Sequence, residues 1–514
     1  MANNQSTQKR NLILSHDLGT SGDKACIFDA NGDFLAEAYY EYPTFYPKEG
    51  FIEHDPETWW NAVKESSRDV VAKAKVAPSE VQAISFSAHG MGVIPVDKDG
   101  GLLMKHVMIW NDMRSTKEAA VILDAFGERN HYDMTGNSFD LALYPAAKIL
   151  WVRRNMPDVY EKTWKFLSTK EYLIHKMTGL IRYTDYGEAG MSGLYNLNTH
   201  CWDPDLLRVS KVDKDKLLEP VDSTQKMGGL SRKAADEMGL VEGTPVILGS
   251  WDNYACATGA GVRSGSMPVC IGTAGWIGVN HTKPITAADS MTNVVYVGND
   301  TYFTSVHTHS AAASFDWIID NLCEQYKDCE NPFREAEKKA AAVPPGSEKL
   351  FFLPSMFAGN TFYSSSALNG SLVGLKMHHT NAHVVRAAME GVGFDLMMGA
   401  DLFRREGAMP GQCSLIGGGS HSPFWSQIIS DMFESRMMRP KNAQYIGALG
   451  AALIAGVGTG LIDGFKMAAE ITRSDDIFLP QKEATESYRK LLPVYRKFYE
   501  QLLPAYKELQ KIEL

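Results

Sequence analysis

A run near the start of this 514-residue chain, Asp17-Leu18-Gly19-Thr20-Ser21-Gly22-Asp23-Lys24, holds the residue types that handle phosphate. A tight Gly-Thr turn between two apolar segments aims backbone N–H groups and hydroxyls at one point. Asp17, at the mouth of the turn, is an acid suited to the Mg²⁺ that accompanies a nucleotide. The run is not a Walker A loop, because no G-x-x-x-x-G-K-[ST] occurs in it. Taken alone, an unliganded Gly-Thr hairpin is the simpler reading.

Three further runs invite a chemical reading and a bland one. In Val246-Ile247-Leu248-Gly249-Ser250-Trp251-Asp252-Asn253, a strand runs into a loop with an acid just past its end. Asp252 is placed either as a general base toward a substrate hydroxyl or as the cap of a helix over Tyr254 to Gly259. Leu415 to Trp425 reads as a strand, the triple glycine Gly417-Gly418-Gly419, and a helix start. Missing side chains let a flat group or a phosphate lie against backbone, although close strand–helix packing also uses glycine. In Ile109-Trp110-Asn111-Asp112-Met113-Arg114, Asp112 and Arg114 suit hydrogen bonds to a polyol, or form a local ion pair worth ~0–1 kcal/mol if exposed. His89, in the loop Ala88-His89-Gly90-Met91-Gly92, is either a substrate contact or a structural histidine.

These runs need elements to carry them, and helix and strand patterns alternate along the whole chain, which argues α/β. Asp55-Pro56-Glu57 supplies a helix start, and Trp60, Val63, Val70 and Val71 an apolar face. Val81 to Ser87 and Val93 to Val96 read as strands. Val269 to Val279 repeats the pattern of strand, Gly272-Thr273 turn and strand, followed by a hairpin over Val294–Val297 and Tyr302–Val306 about Asn299-Asp300. Two halves that open alike suggest a duplicated domain with its boundary near Gly261 to Ser266, giving units 1–262 and 263–514. The length itself calls for two or three domains.

Composition narrows the partners. A chain that is 44% hydrophobic and 22% charged, with net charge −10, suits a globular protein and disfavours nucleic acid or an anionic membrane. Its seven cysteines are scattered without a C-x-x-C pair, so neither a zinc cluster nor a disulfide framework is indicated. Met1 to Arg10 is polar, unlike a signal peptide, and Gly447 to Ile462 carries five glycines and falls short of the ~20 apolar residues of a span. A reduced, cytoplasmic protein is expected.

Together these segments resemble the FGGY family of carbohydrate kinases, relatives of actin, Hsp70 and hexokinase, over about Asn11 to Gly460. The most specific piece is Gly370-Ser371-Leu372-Val373-Gly374-Leu375, then seven residues, then His383-Val384-Val385-Arg386-Ala387-Ala388-Met389-Glu390, which matches the family's C-terminal signature. Pro145-Ala146-Ala147-Lys148-Ile149-Leu150-Trp151-Val152 with Asn155 is similar to the N-terminal signature, Leu143 departing at its first position. Thr184-Asp185-Tyr186 and the Gly/Ala run Ala448-Leu449-Gly450-Ala451-Ala452, which usually packs behind the nucleotide, fall in family order.

The resemblance implies two ribonuclease-H-like domains flanking a central cleft, the sugar mostly on the first and the nucleotide mostly on the second. It implies ATP and Mg²⁺, with Asp252 as catalytic base and Asp17 holding the metal directly or through water. Thr20, Ser21, Lys24, Gly272, Thr273, Ala312, Gly418, Gly419 and Ser422 would meet the nucleotide. His89, Gly90, Met91, Trp110, Asp112, Asp252 and Asn253 would meet the sugar. A ketopentose such as D-xylulose is the first expectation. Yet xylulokinases usually carry Gln-Met-His where this chain has His89-Gly90-Met91, and Gly-Glu-Arg-x-Pro near Gly359-Asn360-Thr361-Phe362, so a tetrulose, another polyol or an aldonate such as gluconate stays open. Outside the sugar kinases, an actin- or Hsp70-like ATPase and a catalytically silent sugar sensor are the competing classes. A homodimer is compatible with all of these.

Overall fold

Leu12, Ile13, Leu14 and Leu18 are wholly buried, so the first apolar run forms a central strand, β1 (Leu12–Leu18). In the computed structural model it pairs antiparallel with β2 (Gly22–Asp29), which pairs antiparallel with β3 (Phe34–Glu41). The structure describes residues 11–512, apart from 264–265, 287, 289, 299–300, 309, 327, 357–361, 363–366 and 475. The polar run at residues 1–10, the turn at 299–300, the departure at 359–361 and the middle of the 261–266 boundary lie outside these residues.

Helix α1 (Pro56–Ala74) then carries the chain over the sheet, so that β4 (Val81–Ala88) runs parallel to β1. Asp55 caps α1 by accepting the Glu57 N–H at 3.0 Å, and the helix buries Trp59, Trp60, Val63, Val70 and Val71. Three strands complete this sheet: β5 (Lys226–Gly229), β6 (Pro245–Ile247) and β7 (Ser250–Trp251). Their order is β5-β6-β4-β1-β2-β3, with β7 beside β4.

A second sheet follows: β8 (Met267–Ile271), β9 (Gly275–His281), β10 (Thr292–Val295), β11 (Tyr302–Thr308), β12 (Gln412–Ile416), β13 (Arg436–Met438) and β14 (Ile477–Phe478). Its order is β10-β11-β9-β8-β12-β13-β14. The antiparallel trio β8-β9-β11 repeats β1-β2-β3. Strand β12 lies parallel to β8 as β4 does to β1, and β13 parallel to β12 as β6 does to β4. The duplication expected from the two Gly-Thr turns is therefore topological, and the fold is two ribonuclease-H-like α/β domains.

Helices α2 (Pro145–Asn155), α3 (Thr169–Thr178), α4 (Tyr186–Gly190) and α5 (Asp252–Gly259) belong to the first half of the chain. Helices α6 (Ala312–Leu322), α7 (Pro332–Ala340), α8 (Asn381–Arg405), α9 (Pro423–Phe433), α10 (Ile446–Thr459) and α11 (Lys482–Leu509) belong to the second. The Gly/Ala helix α10 packs behind the first hairpin: Ile13, Ala448, Leu449 and Ala452 share one apolar core. It also crosses α5 at backbone contact, since a Cβ on Gly450 would stand 1.7 Å from the Ala255 carbonyl oxygen. Among the described residues, no helix is long and apolar enough to cross a membrane.

Candidate active site

Three strands bring the first candidate residues to one edge. Asp17 on β1 stands in register with Ser87 on β4, and Ser87 with Ser250 on β7. The next row is Leu18, Ala88 and Trp251, so Asp252 and the Gly19–Ser21 turn both emerge at the carboxyl ends of these strands, with β4 between them. Such ends are where open α/β sheets bind ligands. Ser87 donates its hydroxyl to Asp17 at 2.5 Å, and Lys24 pairs with Asp17 across the hairpin. Burial raises the Asp17 carboxyl above the usual carboxylate range, against the pull of Ser87 and Lys24.

Asp252 opens α5 and accepts the N–H of its neighbour Asn253 at 2.7 Å. The capping reading is therefore partly met, although Trp251 occupies the cap position itself. Burial, then the charge of Asp17, pushes the Asp252 carboxyl up to about 7. On its other side, Asp252 helps burial hold the Cys270 thiol near about 12, two residues before the second Gly-Thr turn. Asp252 thus stands within electrostatic reach of both Asp17 on β1 and Cys270 on β8. A pair of like-charged acids with a lysine nearby suits an oxygen-ligated Mg²⁺, since a divalent cation relieves their repulsion. Gly447, at the start of α10, leaves room there: its Cβ would stand 2.7 Å from Asp17 Oδ1.

The second half of the chain holds a cleft of about 1100 Å³. Gly272, Thr273, Ala312, Gly418, Gly419 and Ser422 all line it, as do the rings of Phe315, Phe333 and Phe424. The start of α6 holds the Gly-Thr turn, Ala312 donating to the Gly272 carbonyl at 2.8 Å and Ala311 to that of Thr273 at 3.0 Å. The triple glycine serves both of its readings. Gly417 (φ +84°) and Gly419 pack on Ile271, where a Cβ would come within 2.6 and 2.5 Å, whereas a Cβ on Gly418 would meet nothing within 4 Å. Ser422 caps α9, accepting the Trp425 N–H at 2.9 Å. Phe333, Arg334 and Glu337 on α7 were not singled out by sequence, because an amphipathic helix gives no sign of which face meets a ligand. Thr20, Ser21 and Lys24 belong to the other hairpin and do not line this cleft; the Lys24 ammonium lies 6.0 Å from the Tyr445 ring.

The remaining candidates gather around the loop after β4. His89 is buried, its N–H donates to the Leu18 carbonyl at 3.0 Å, and its Nδ1 lies 3.3 Å from Thr169 Oγ1. Its Nε2 is buried with no hydrogen-bond partner among the described residues. Burial drops its pKa to about 3, so the ring is neutral. A Cβ on Gly90 would stand 2.6 Å from Glu188 Oε2. Met91 is left-handed (φ +60°) and donates its N–H to Glu188 Oε1 at 2.8 Å. Asn253 is half-buried beside Asp252.

Trp110 is 40% exposed, and its indole N–H reaches Thr20 Oγ1. Asp112 makes the ion pair with Arg114, at 2.7 Å, but wholly buried rather than exposed. Asp112 also accepts the Ile52 N–H at 2.7 Å, and Arg114 bridges on to Glu53 at 2.6 Å.

Two buried groups beneath these loops were missed by sequence. Lys148 on α2 donates to the carbonyls of Met91, Ile109 and Trp110 at 3.0, 2.6 and 3.1 Å. Lys170 on α3 sits among Glu171, Asp185 and Glu188, at 2.7, 2.7 and 3.4 Å. Lys148 stands inside the Pro145–Val152 segment quoted above, so its position was visible and its task was not.

Comparison with known proteins covers most of the chain. Residues 12–259 match the model for the N-terminal domain of the FGGY family of carbohydrate kinases, and residues 267–459 that for its C-terminal domain. A xylulose kinase of Bacillus subtilis (strain 168) is 30% identical over 490 residues, covering 95% of this chain and 96% of that protein. A ligand-bound xylulose kinase from Lactobacillus acidophilus superposes with a TM-score of 0.87 at 26% identity, covering 97% of this chain and 99% of the other. A gluconate kinase from Lactobacillus acidophilus matches with the same score, identity and coverage.

Proposed function

Because the chain belongs to the FGGY family of carbohydrate kinases and is a sugar kinase, we propose that it moves the γ-phosphoryl group of ATP to a terminal hydroxyl of a ketopentose such as D-xylulose. Kinases of this family use ATP, normally with Mg²⁺. The observation that carries the reaction is Asp252, a carboxyl raised to about 7 at the strand ends of the first sheet, in the register of Asp17 and the first Gly-Thr hairpin. The ketopentose rests on likeness to a xylulose kinase along nearly the whole of both chains. Residues 1–262 are assigned to the sugar, the first hairpin and the base, and residues 263–514 to the nucleotide.

In this reading Asp252 accepts the proton of the attacking hydroxyl, poised because its carboxyl lies near working pH. The transition state of phosphoryl transfer is loose, so the remaining residues position and neutralise. Thr20, Ser21, Lys24 and the Gly272-Thr273 turn offer N–H groups, hydroxyls and an ammonium to the phosphoryl oxygens. Asp17 is the residue to hold Mg²⁺, directly or through water, and the bound ion supplies further positive charge to those oxygens. Ala312, Gly418, Gly419 and Ser422 border the adenosine. His89, Gly90, Met91, Trp110, Asp112 and Asn253 shape the sugar side, the unpartnered His89 Nε2 being a free hydrogen-bonding site toward a hydroxyl.

Gluconate is the second reading, favoured by the equal superposition on a gluconate kinase; the departure from the xylulokinase pattern at His89-Gly90-Met91 leaves room for it. The free thiols and the demand for ATP suit a cytoplasmic setting. ADP release measured across ketoses, polyols and aldonates separates the sugars, with D-xylulose expected to give the highest kcat/KM. ADP release indifferent to every sugar would favour an ATPase module, and none at all a silent sensor. Asp252→Ala is expected to lower kcat about 10²–10⁴-fold with KM near wild type; near-native turnover overturns the base assignment.

A further inference from the structure

Met91 is held at both ends by buried side chains, the carboxyl group of Glu188 and the amino group of Lys148. Its N–H donates to Glu188 Oε1 at 2.8 Å, and its carbonyl accepts from Lys148 Nζ at 3.0 Å. The backbone between these grips is left-handed, a conformation that a non-glycine side chain disfavours and that persists only where surroundings impose it. The two other protons of the Lys148 ammonium go to the carbonyls of Ile109 and Trp110. All three donors of one fully buried lysine are therefore spent on two loops, 88–92 and 109–112, far apart in sequence. Trp110 in turn reaches Thr20 on the first hairpin. Core packing alone calls for no ammonium here; a methionine would fill the same volume.

We infer that Lys148 is a positioning residue, the pin that joins the His89–Met91 loop and the Trp110–Asp112 loop into one rigid sugar-binding wall. This rests on the reading that those loops face the sugar. Lys148→Met removes three hydrogen bonds while keeping length and volume. Lys148→Arg keeps the charge but offers a flat fork that cannot serve three carbonyls converging on a point.

In both variants KM for the sugar is expected to rise about 10- to 100-fold, the usual worth of one or two hydrogen bonds to a charged group. KM for ATP should rise several-fold less than KM for the sugar, because the loops do not line the cleft of the second half and reach the phosphate side only through the Trp110–Thr20 bond. Ratios to wild type are read with whichever sugar the wild-type enzyme phosphorylates, so a wrong sugar assignment leaves this test intact. A lowered melting temperature with both KM values unchanged would show a merely structural lysine and overturn the inference.

Should neither variant fold, hydrogen exchange on the ligand-free wild type decides. Amides at 89–92 and 110–112 are expected to open at a common rate, as one unit. Independent opening of the two loops would overturn the pin.

Discussion

The indole N–H of Trp110 donates to Thr20 Oγ1 at 3.0 Å, tying the 109–112 loop to the tip of the first hairpin across 90 positions of sequence. The ring is partly exposed, so the bond orients more than it stabilises. Trp110→Phe keeps an aromatic ring and loses the donor. Steady-state kinetics with both substrates should show kcat/KM reduced about 3- to 10-fold, the range of one neutral hydrogen bond, with the melting temperature near wild type. Unchanged kcat/KM would mean that the contact positions nothing.

The Asp252 carboxyl, ordinarily near 3.8, is lifted to about 7 in the folded protein. Between about pH 4 and 7 the folded state keeps a proton that the unfolded chain has released, so this group's contribution to stability is lost as pH rises across that window. Thermal melts of the ligand-free, metal-free protein should therefore show Asp252→Asn gaining on wild type from pH 4 to 7. A constant difference between the two would place Asp252 in the ordinary range. As the proposed base, Asp252 must be deprotonated to act, so kcat/KM of the wild type should rise through the same region.

Gly418 and Gly419 make opposite predictions although they are adjacent. A Cβ on Gly418 meets open space in the cleft. Gly418→Val should melt like wild type while KM for ATP rises at least about tenfold, 1.4 kcal/mol of lost contact. A Cβ on Gly419 would stand 2.5 Å from Ile271 Cγ2, so Gly419→Val should cost about 1–3 kcal/mol of stability through overpacking. Calorimetry and ATP titration of the pair check both, and equal effects on KM would refute the division of roles.

The C-terminal signature predicts a stability effect rather than a catalytic one. Glu390 on α8 accepts from Gly346 N–H, Ser347 Oγ, Arg386 Nε and Tyr488 OH at 2.9, 2.8, 2.7 and 2.8 Å. It clamps a turn and α11, and does not line the cleft. Glu390→Ala strands a buried guanidinium and should cost about 3–5 kcal/mol in denaturant unfolding, with kinetic constants of the folded fraction unchanged. A normal midpoint would contradict the clamp.

Read by itself, the sequence determined the central strands, both Gly-Thr hairpins, the start of α1 and the duplication, because short apolar runs, turn glycines and an Asp-Pro cap act over a few residues. The resemblance it carries also named Gly272, Thr273, Ala312, Gly418, Gly419 and Ser422, which all line the cleft, but not Phe333, Arg334 or Glu337. Tertiary structure alone decided what each ambiguous residue does. Asp112 became half of a buried ion pair, Gly417 and Gly419 glycines packed on Ile271, and Gly418 and Gly419 walls of the cleft, with room for a side chain only at Gly418. Lys148 became a pin only because helix α2 carries it beneath two loops that folding brings together. Local chemistry is written into neighbouring residues, whereas the partners of a buried charge come from distant segments and exist only once the chain has closed around it.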